Sequence, residues 1–246
     1  MIYCKKRKIG IFLNPRTGTT SLYHIFKSID VDQNKHVHVN YSLANDAYDI
    51  PDFHTYKFFC FYRNPIDRFV SCFKYFKRKA HLGALSQFSG QEAFLKATAD
   101  IKMKKYELFY PMNKGHKDEY HWLCDEHKQI IESITIDQIL NLLPDNPGDI
   151  NFNLPVSQGI MTSLFSSQKN WLDFDIDITY LNFENYENEV RNLTAMFDVT
   201  LENVMHGNQS LNLSSDVPPT PQEILNIKQK YSGDYDFFAS KGITFP

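Results

Sequence analysis

Three short apolar segments dominate the hydrophobic pattern of the chain and predict the strands of a sheet. They lie at residues 9–13, 56–62 and 176–183, and β-branched or aromatic residues are frequent in all three, as is typical of strands. The middle segment, YKFFCFY, is apolar at nearly every position, which favours a central strand covered on both faces. A weaker alternation over residues 37–41 predicts one further short strand.

Helical periodicity appears between and after these segments. The apolar spacing predicts helices from Asp67 onward and over residues 184–197, and capped helix starts are visible at Thr135 and in the motif TPQE at residues 220–223. Strands that alternate with helices indicate an α/β fold with a central parallel sheet of about four or five strands. Since no repeat or long linker divides the chain, we expect a single domain over residues 1–246, with helical insertions.

Composition narrows the class of protein. The chain has 246 residues, of which 42% are hydrophobic and 15% aromatic, so we expect a globular protein with a sizeable core. The formal net charge of -3 excludes a generally basic nucleic-acid binder but allows a local cationic site. The four cysteines have neither metal-ligand spacing nor a compact disulfide framework. No apolar segment approaches the roughly 20 residues of a membrane span, and no signal peptide is visible, so we expect a cytoplasmic protein.

The residues with the clearest chemistry lie in the turn after the first strand. Residues 16–21, RTGTTS, separate that strand from a predicted helix. A helix N-terminus carries the positive end of the helix dipole, Gly18 lets the backbone approach a ligand and Arg16 adds a cation, so the turn is suited to binding an anion. It is not a Walker A loop, because no lysine follows Gly18. The ordinary alternative is a strand–turn–helix junction capped by threonine and serine.

A second basic motif, RNPIDRFVS at residues 63–71, follows the middle strand. Ligands of open parallel sheets bind at the carboxyl ends of the strands, so we expect Arg16 and Arg63 to reach one crevice and to suit a ligand with two anionic ends. An arginine and the hydroxyl of Ser71 would make a good phosphate clamp. Alternatively, these arginines pair with nearby carboxylates at an ordinary helix start. Arg68 lies within the predicted helix, and we expect it to be structural.

Together the two motifs resemble the nucleotide-binding elements of sulfotransferases. The first turn is similar to their 5′-phosphosulfate loop, with the pattern P-K-[ST]-G-[TG]-[TS], although Arg16 stands where the family has a lysine. The second motif is similar to their 3′-phosphate element, and the order and spacing of the two motifs agree with the family. Segments at residues 154–158, 180–190, 208–210 and 231–238 are similar to the subfamily that includes carbohydrate O-sulfotransferases and many bacterial members.

This resemblance implies a P-loop-like three-layer fold and a sulfotransferase activity. The donor would be 3′-phosphoadenosine 5′-phosphosulfate (PAPS), used without a metal, and the acceptor would be a hydroxyl, with a carbohydrate favoured. Arg16 would also stabilise the transition state, and His38 would act as general base, with His36 and His54 as competitors. The residues implied to bind the donor are Arg16, Thr17, Gly18, Thr19, Thr20, Ser21, Arg63 and Ser71.

Two other functions stay open at this point. One is a nucleotide-dependent kinase on a similar fold, which is disfavoured because the Walker lysine and an obvious metal-binding aspartate are missing. The other is a non-catalytic protein that retains a nucleotide pocket. Neither a nucleic acid nor a membrane is among the predicted partners.

Overall fold

The structure, a computed structural model, describes residues 1–27, 33–34, 52–81, 133–143, 164–198, 201 and 217–246. The predicted strand at residues 37–41 lies outside this part of the chain, as do His36 and His38. The strands are β1 (Ile2–Cys4), β2 (Ile9–Phe12), β3 (Gln33–Asn34), β4 (Lys57–Tyr62) and β5 (Ile178–Asn182). The helices are α1 (Thr19–Lys27), α2 (Pro65–His81), α3 (Ile136–Leu142), α4 (Gln168–Leu172), α5 (Tyr186–Ala195), α6 (Pro221–Lys230) and α7 (Ser232–Ser240). Short 3₁₀ turns occupy Phe53–Thr55 and Phe183–Asn185.

The chain divides into two compact units. The first comprises Met1–Arg68, Gln168–Gln209 and Asp234–Pro246, and it contains every strand named above. The second comprises Phe69–Ser167 and Ser210–Gly233. The single domain over the whole chain therefore stays a prediction.

In the part of the chain that the structure describes, every helix is too short or too polar to span a membrane.

The sheet of the first unit is mixed. Its strand order is β3-β1-β2-β4-β5. β2, β4 and β5 are parallel, but β1 is antiparallel to both β2 and β3. The predicted α/β class is confirmed, whereas the predicted central parallel sheet of about four or five strands is a mixed sheet. The three strands that the apolar segments predicted are the three that run parallel.

The antiparallel part arises from a strand that the hydrophobic pattern did not reveal. β1 has only three residues, which is too short for a periodicity to register. It returns to β2 through the tight turn Lys5–Lys8, in which the Lys8 N–H donates to the Lys5 carbonyl at 3.2 Å. Lys8 has a φ of 52°, the left-handed conformation that often follows the turn of a short hairpin loop. A hairpin of this length can only produce antiparallel neighbours.

The two faces of the sheet contact different helices, because successive side chains of a strand point to opposite faces. On one face, α1 and α5 pack on the sheet in a buried cluster of Ile2, Cys4, Ile9, Ile11, Leu13, Leu22, Ile25, Phe26, Phe59, Phe61, Leu181, Tyr186, Val190, Leu193 and Phe197. On the other face, the rings of Tyr62 and Tyr180 lie 5.5 and 6.2 Å from the ring of Phe238 in α7. Burying a large apolar side chain contributes about 1.5–3 kcal/mol. This arrangement is compatible with a three-layer α/β domain.

The second unit confirms two helix starts that the sequence predicted. At α3, Thr135 accepts a hydrogen bond from the Gln138 N–H, and the Gln138 side chain accepts one from the Thr135 N–H. Thr220 and Glu223 form the same reciprocal pair at the start of α6. Each cap satisfies backbone donors at the helix N-terminus and contributes about 1 kcal/mol.

Candidate functional site

The turn between β2 and α1 is shaped by its own backbone. Arg16 and Gly18 both have left-handed φ values, 65° and 77°, which reverse the chain within a few residues. The Thr17 hydroxyl donates to the Asn14 carbonyl at 2.8 Å and closes the turn. The first helical hydrogen bond runs from the Leu22 N–H to the Gly18 carbonyl at 3.0 Å. The positive end of the α1 dipole therefore lies at this turn, as the sequence predicted.

Exposure separates the residues of the turn into two groups. Thr17, Thr19 and Ser21 are buried, whereas Arg16 and Thr20 are half-buried. Because the Thr17 hydroxyl already donates to a carbonyl within the turn, Arg16 and Thr20 have the side chains best placed to contact a ligand.

Tyr186, the first residue of α5, holds the turn from the side. Its hydroxyl donates to the Gly18 carbonyl at 3.0 Å. Burial raises the pKa of Tyr186, and a hydrogen bond from the Ser21 side chain opposes that rise, so the phenol is neutral and able to donate at physiological pH. A Cβ on Gly18 would lie 2.4 Å from the Tyr186 ring, so only glycine fits against this side chain. Sequence reasoning missed this role, because the segment at residues 180–190 predicted a strand and a helix and supported the family resemblance, but nothing in it indicated a contact with Gly18.

Arg63 leaves the carboxyl end of β4, the strand that pairs in parallel with β2. Its guanidinium carbon lies 4.6 Å from the centroid of the Phe183 ring, a cation–π contact. Its Nε lies 3.8 Å from a carboxylate oxygen of Glu184, and 21% of its side chain is exposed. Phe183 and Glu184 belong to the 3₁₀ turn that follows β5. The guanidinium therefore contacts one aromatic ring and one carboxylate, its Nε is buried, and part of the side chain as a whole stays accessible.

The two motifs are connected through the segment that follows β5. The guanidinium of Arg63 lies over the ring of Phe183, and that ring lies 5.4 Å from the ring of Tyr186. Tyr186 in turn contacts Gly18. A continuous chain of contacts thus joins Arg63 to the turn that contains Arg16, and all of these residues belong to the first unit.

The remaining predicted residues have different positions. Ser71 is buried on α2 and belongs to the second unit, so its cooperation with Arg63 stays a prediction. His54 is exposed in the 3₁₀ turn before β4. β4 has six residues, which separates His54 from Arg63 by about 20 Å of strand. His54 therefore lies at the opposite edge of the sheet from both arginines, whereas His38 and His36 lie outside the described residues.

A third arginine supports the turn from within the protein. Arg68 is 1% exposed, and its Nε donates to the Pro15 carbonyl at 3.0 Å. The predicted structural role fits this buried position, in which the guanidinium donates to a backbone carbonyl. Its positive charge adds to the field at the turn.

The positively charged and N–H groups at these two strand ends are suited to a ligand with two anionic groups. One guanidinium and a helix N-terminus lie after β2, and a second guanidinium lies after the neighbouring parallel strand. Among the residues that the structure describes, no group of three or more His, Cys, Asp or Glu side chains could hold a metal ion. Comparisons with protein-family models, with curated proteins and with solved structures found no match. The candidate site therefore stands on its motifs and its geometry.

Proposed function

We propose that this protein transfers a sulfuryl group from PAPS to a hydroxyl acceptor, with a carbohydrate as the favoured class, on a P-loop-like fold. The observation that carries the proposal is the pair of half-buried arginines, Arg16 and Arg63, that follow two adjacent parallel strands. PAPS carries a phosphosulfate at the 5′ position and a phosphate at the 3′ position of its ribose, so its two anionic groups lie apart on one molecule. Two separate cationic sites at neighbouring strand ends suit such a molecule better than a single anion.

Under this proposal, different residues stabilise charge in the transition state, bind the nucleotide and accept the proton. The donor supplies an activated sulfuryl group on a phosphate leaving group. Arg16, with the N-terminus of α1, would stabilise the negative charge that develops on that leaving group when the bond to sulfur breaks. Arg63, whose guanidinium lies over the Phe183 ring, would bind the 3′-phosphate, and Ser71 is the second ligand that the resemblance implies. His38 would accept the proton of the acceptor hydroxyl as its oxygen attacks sulfur.

The first test is binding, measured as thermal stabilisation of the full chain. The product 3′-phosphoadenosine 5′-phosphate should raise the melting temperature without magnesium, because a ligand at 100 times its Kd stabilises the native state by about 2.7 kcal/mol. Stabilisation by ATP that requires magnesium, with no effect of the bisphosphate, would instead favour the kinase.

The second test is turnover, measured as sulfated product from PAPS with a panel of hydroxyl acceptors that includes carbohydrates. Substituting the general base, His38→Ala, should abolish turnover while the affinity for the bisphosphate stays unchanged. His36→Ala is the matched control, and we expect it to retain activity. Bisphosphate binding without turnover on any acceptor would favour the non-catalytic alternative.

A further inference from the structure

We propose that Gln168 is a positioning residue that sets the separation between the two anion sites. This inference rests on the proposed function and adds a residue to it that neither motif contains. Gln168 is the first residue of α4, and its side chain is fully buried. Burying an amide is costly unless its donors and acceptor are hydrogen-bonded, so its partners indicate what the side chain does.

The side-chain amide of Gln168 pairs with the backbone of Arg63 at two points. Its Nε2 donates to the Arg63 carbonyl at 2.7 Å, and its Oε1 accepts from the Arg63 N–H at 3.0 Å. This pairing imitates the two hydrogen bonds that a neighbouring strand would make. It fixes the backbone of Arg63 just where the strand ends, and it also fixes which end of the amide is oxygen.

The same oxygen reaches the turn after β2. Oε1 of Gln168 accepts a second hydrogen bond, from Nδ2 of Asn14 at 3.0 Å. Asn14 is 1% exposed, and its Nδ2 also lies 3.4 Å from the Phe61 carbonyl in β4. One buried atom therefore joins the segment that leads to Arg16 with the segment that carries Arg63.

The backbone of Gln168 is itself anchored by a buried carboxylate. The carboxylate of Asp234, which is fully buried, accepts the N–H of Gln168 at 3.0 Å and the N–H of Lys169 at 2.8 Å. These bonds hold the start of α4 at two points. Asn14, Gln168 and Asp234 thus form a buried polar connection between the two strand ends, within one compact unit.

Such a connection matters for a ligand that binds at two points. When two sites are held at the separation that the ligand spans, the second contact forms as an intramolecular event and multiplies the affinity. When the separation drifts, the second contact loses this advantage, although either end can still bind alone. Gln168 should therefore affect a ligand with two anionic ends much more than a ligand with one.

The experiment compares two nucleotides by calorimetry on the wild type and on Gln168→Leu. The ligands are 3′-phosphoadenosine 5′-phosphate, which has two anionic ends, and adenosine 5′-monophosphate, which has one. We expect the ratio of their affinities to fall by at least about tenfold in the variant, because the two-point advantage is lost. The matched control is Gln138→Leu, which removes the bond from the Thr135 N–H to the Gln138 side chain at the start of α3 in the second unit and should lower stability without changing that ratio.

The outcomes separate the inference from the proposed function. A wild type that binds the bisphosphate no more tightly than the monophosphate would contradict the proposed function itself. A wild type with a clear preference and a Gln168→Leu variant with the same preference would overturn the positioning role alone. If Gln168→Leu does not fold, the same ratio is measured on Asp234→Asn, which keeps the shape of the anchor but cannot accept both N–H groups as a carboxylate does. An unchanged ratio there would likewise overturn the inference.

Discussion

The turn after β2 and the end of β4 each carry a half-buried arginine, but the two regions are built differently. The turn that carries Arg16 takes its shape from hydrogen bonds among its own residues and from two left-handed backbone positions, and Tyr186 and Arg68 add donors to its carbonyls. Arg63 is held by residues far away in sequence, among them Gln168, which is 105 residues distant, and the aromatic ring of Phe183.

This difference separates what each site is suited to do. A turn fixed by its own backbone and a helix N-terminus is preorganised, which favours the stabilisation of charge that develops during a reaction. A guanidinium that contacts an aromatic ring and a carboxylate is restricted in its orientation, which under the proposed function would suit the binding of a permanent anion. We therefore expect Arg16 to govern rate and Arg63 to govern affinity.

The largest expected effect is on the rate. Arg16→Ala should lower kcat about 10²–10³-fold while the affinity for the bisphosphate falls much less, because its charge acts mainly in the transition state. Steady-state kinetics and calorimetry on the same protein measure the two quantities. Arg16→Lys, which keeps the charge and installs the residue of the related loops, should recover part of the rate. Equal losses of rate and of affinity would contradict the division between the two sites.

The next effect is on affinity at the other site. Arg63→Ala should weaken bisphosphate binding about 100-fold, because the variant loses a partly desolvated charge contact. Arg7 offers a matched control, since its guanidinium also pairs with a carboxylate, Asp198 at 2.6 Å, and lies 5.9 Å from the centroid of an aromatic ring, Phe197. Arg7→Ala should leave the affinity unchanged. If both variants bind alike in calorimetry, Arg63 is not a ligand of the nucleotide.

A smaller effect tests how tightly the turn is packed against Tyr186. Gly18 and Gly242 have nearly equal positive φ values, 77° and 76°. A Cβ would overlap the Tyr186 ring at Gly18 but would meet nothing within 4 Å at Gly242. Gly18→Ala should therefore cost about 1–3 kcal/mol more free energy of unfolding than Gly242→Ala, as overpacking usually does. Urea denaturation measures both, and equal costs would show that the backbone angle alone requires the glycine.

The smallest effect concerns the hydroxyl that joins the two regions. Tyr186→Phe should cost about 1 kcal/mol of unfolding free energy at neutral pH, because the bond to the Gly18 carbonyl is lost. It should also lower bisphosphate affinity slightly, by about threefold, as the turn loosens. Tyr180→Phe is the control, because Tyr180 donates to Leu172 and not to the turn. An effect of Tyr180→Phe on affinity as large as that of Tyr186→Phe would remove Tyr186 from the connection.

The same pair of variants responds to alkaline pH. Burial raises the pKa of both phenols above the ordinary value of 10.0. Above about pH 10 the unfolded chain releases these protons while the folded chain keeps them, so stability is full below pH 10 and falls as the pH rises beyond it. In that range each such tyrosine lowers the free energy of unfolding by about 1.4 kcal/mol per pH unit. Tyr186→Phe lacks this phenol, so the difference in unfolding free energy between the wild type and the variant should shrink between pH 9 and pH 11.

The turn after β2 could be predicted because its determinants lie side by side. An Asn-Pro pair, a glycine and several hydroxyl residues occur within residues 14–21, and each has a local conformational meaning. The position of Arg63 could be predicted for the same reason, since it directly follows a strongly apolar strand. The prediction that Arg16 and Arg63 lie at the same edge of the sheet followed from the rule that the carboxyl ends of parallel strands form the ligand-binding edge.

The contacts that hold Arg63 could not be predicted in this way. Gln168 lies in the segment SSQKNWL, which has no periodicity that marks a buried amide. Its partners are backbone groups of Arg63 and the side chain of Asn14, and a side chain that pairs with distant backbone leaves no signal in its own neighbourhood. β1 was missed for a related reason, because three residues are stabilised by their pairing with β2 and not by a pattern of their own.

Arg68 has a practical consequence for anyone who handles this protein. A guanidinium keeps its positive charge throughout the pH range in which proteins are studied, and dissolved ions screen a buried charge much less than an exposed one. The electrostatic field of Arg68 at the Pro15 carbonyl therefore depends little on the salt concentration. Phosphate or sulfate carried over from purification would compete for the neighbouring turn, so chloride solutions and dialysis should precede any titration.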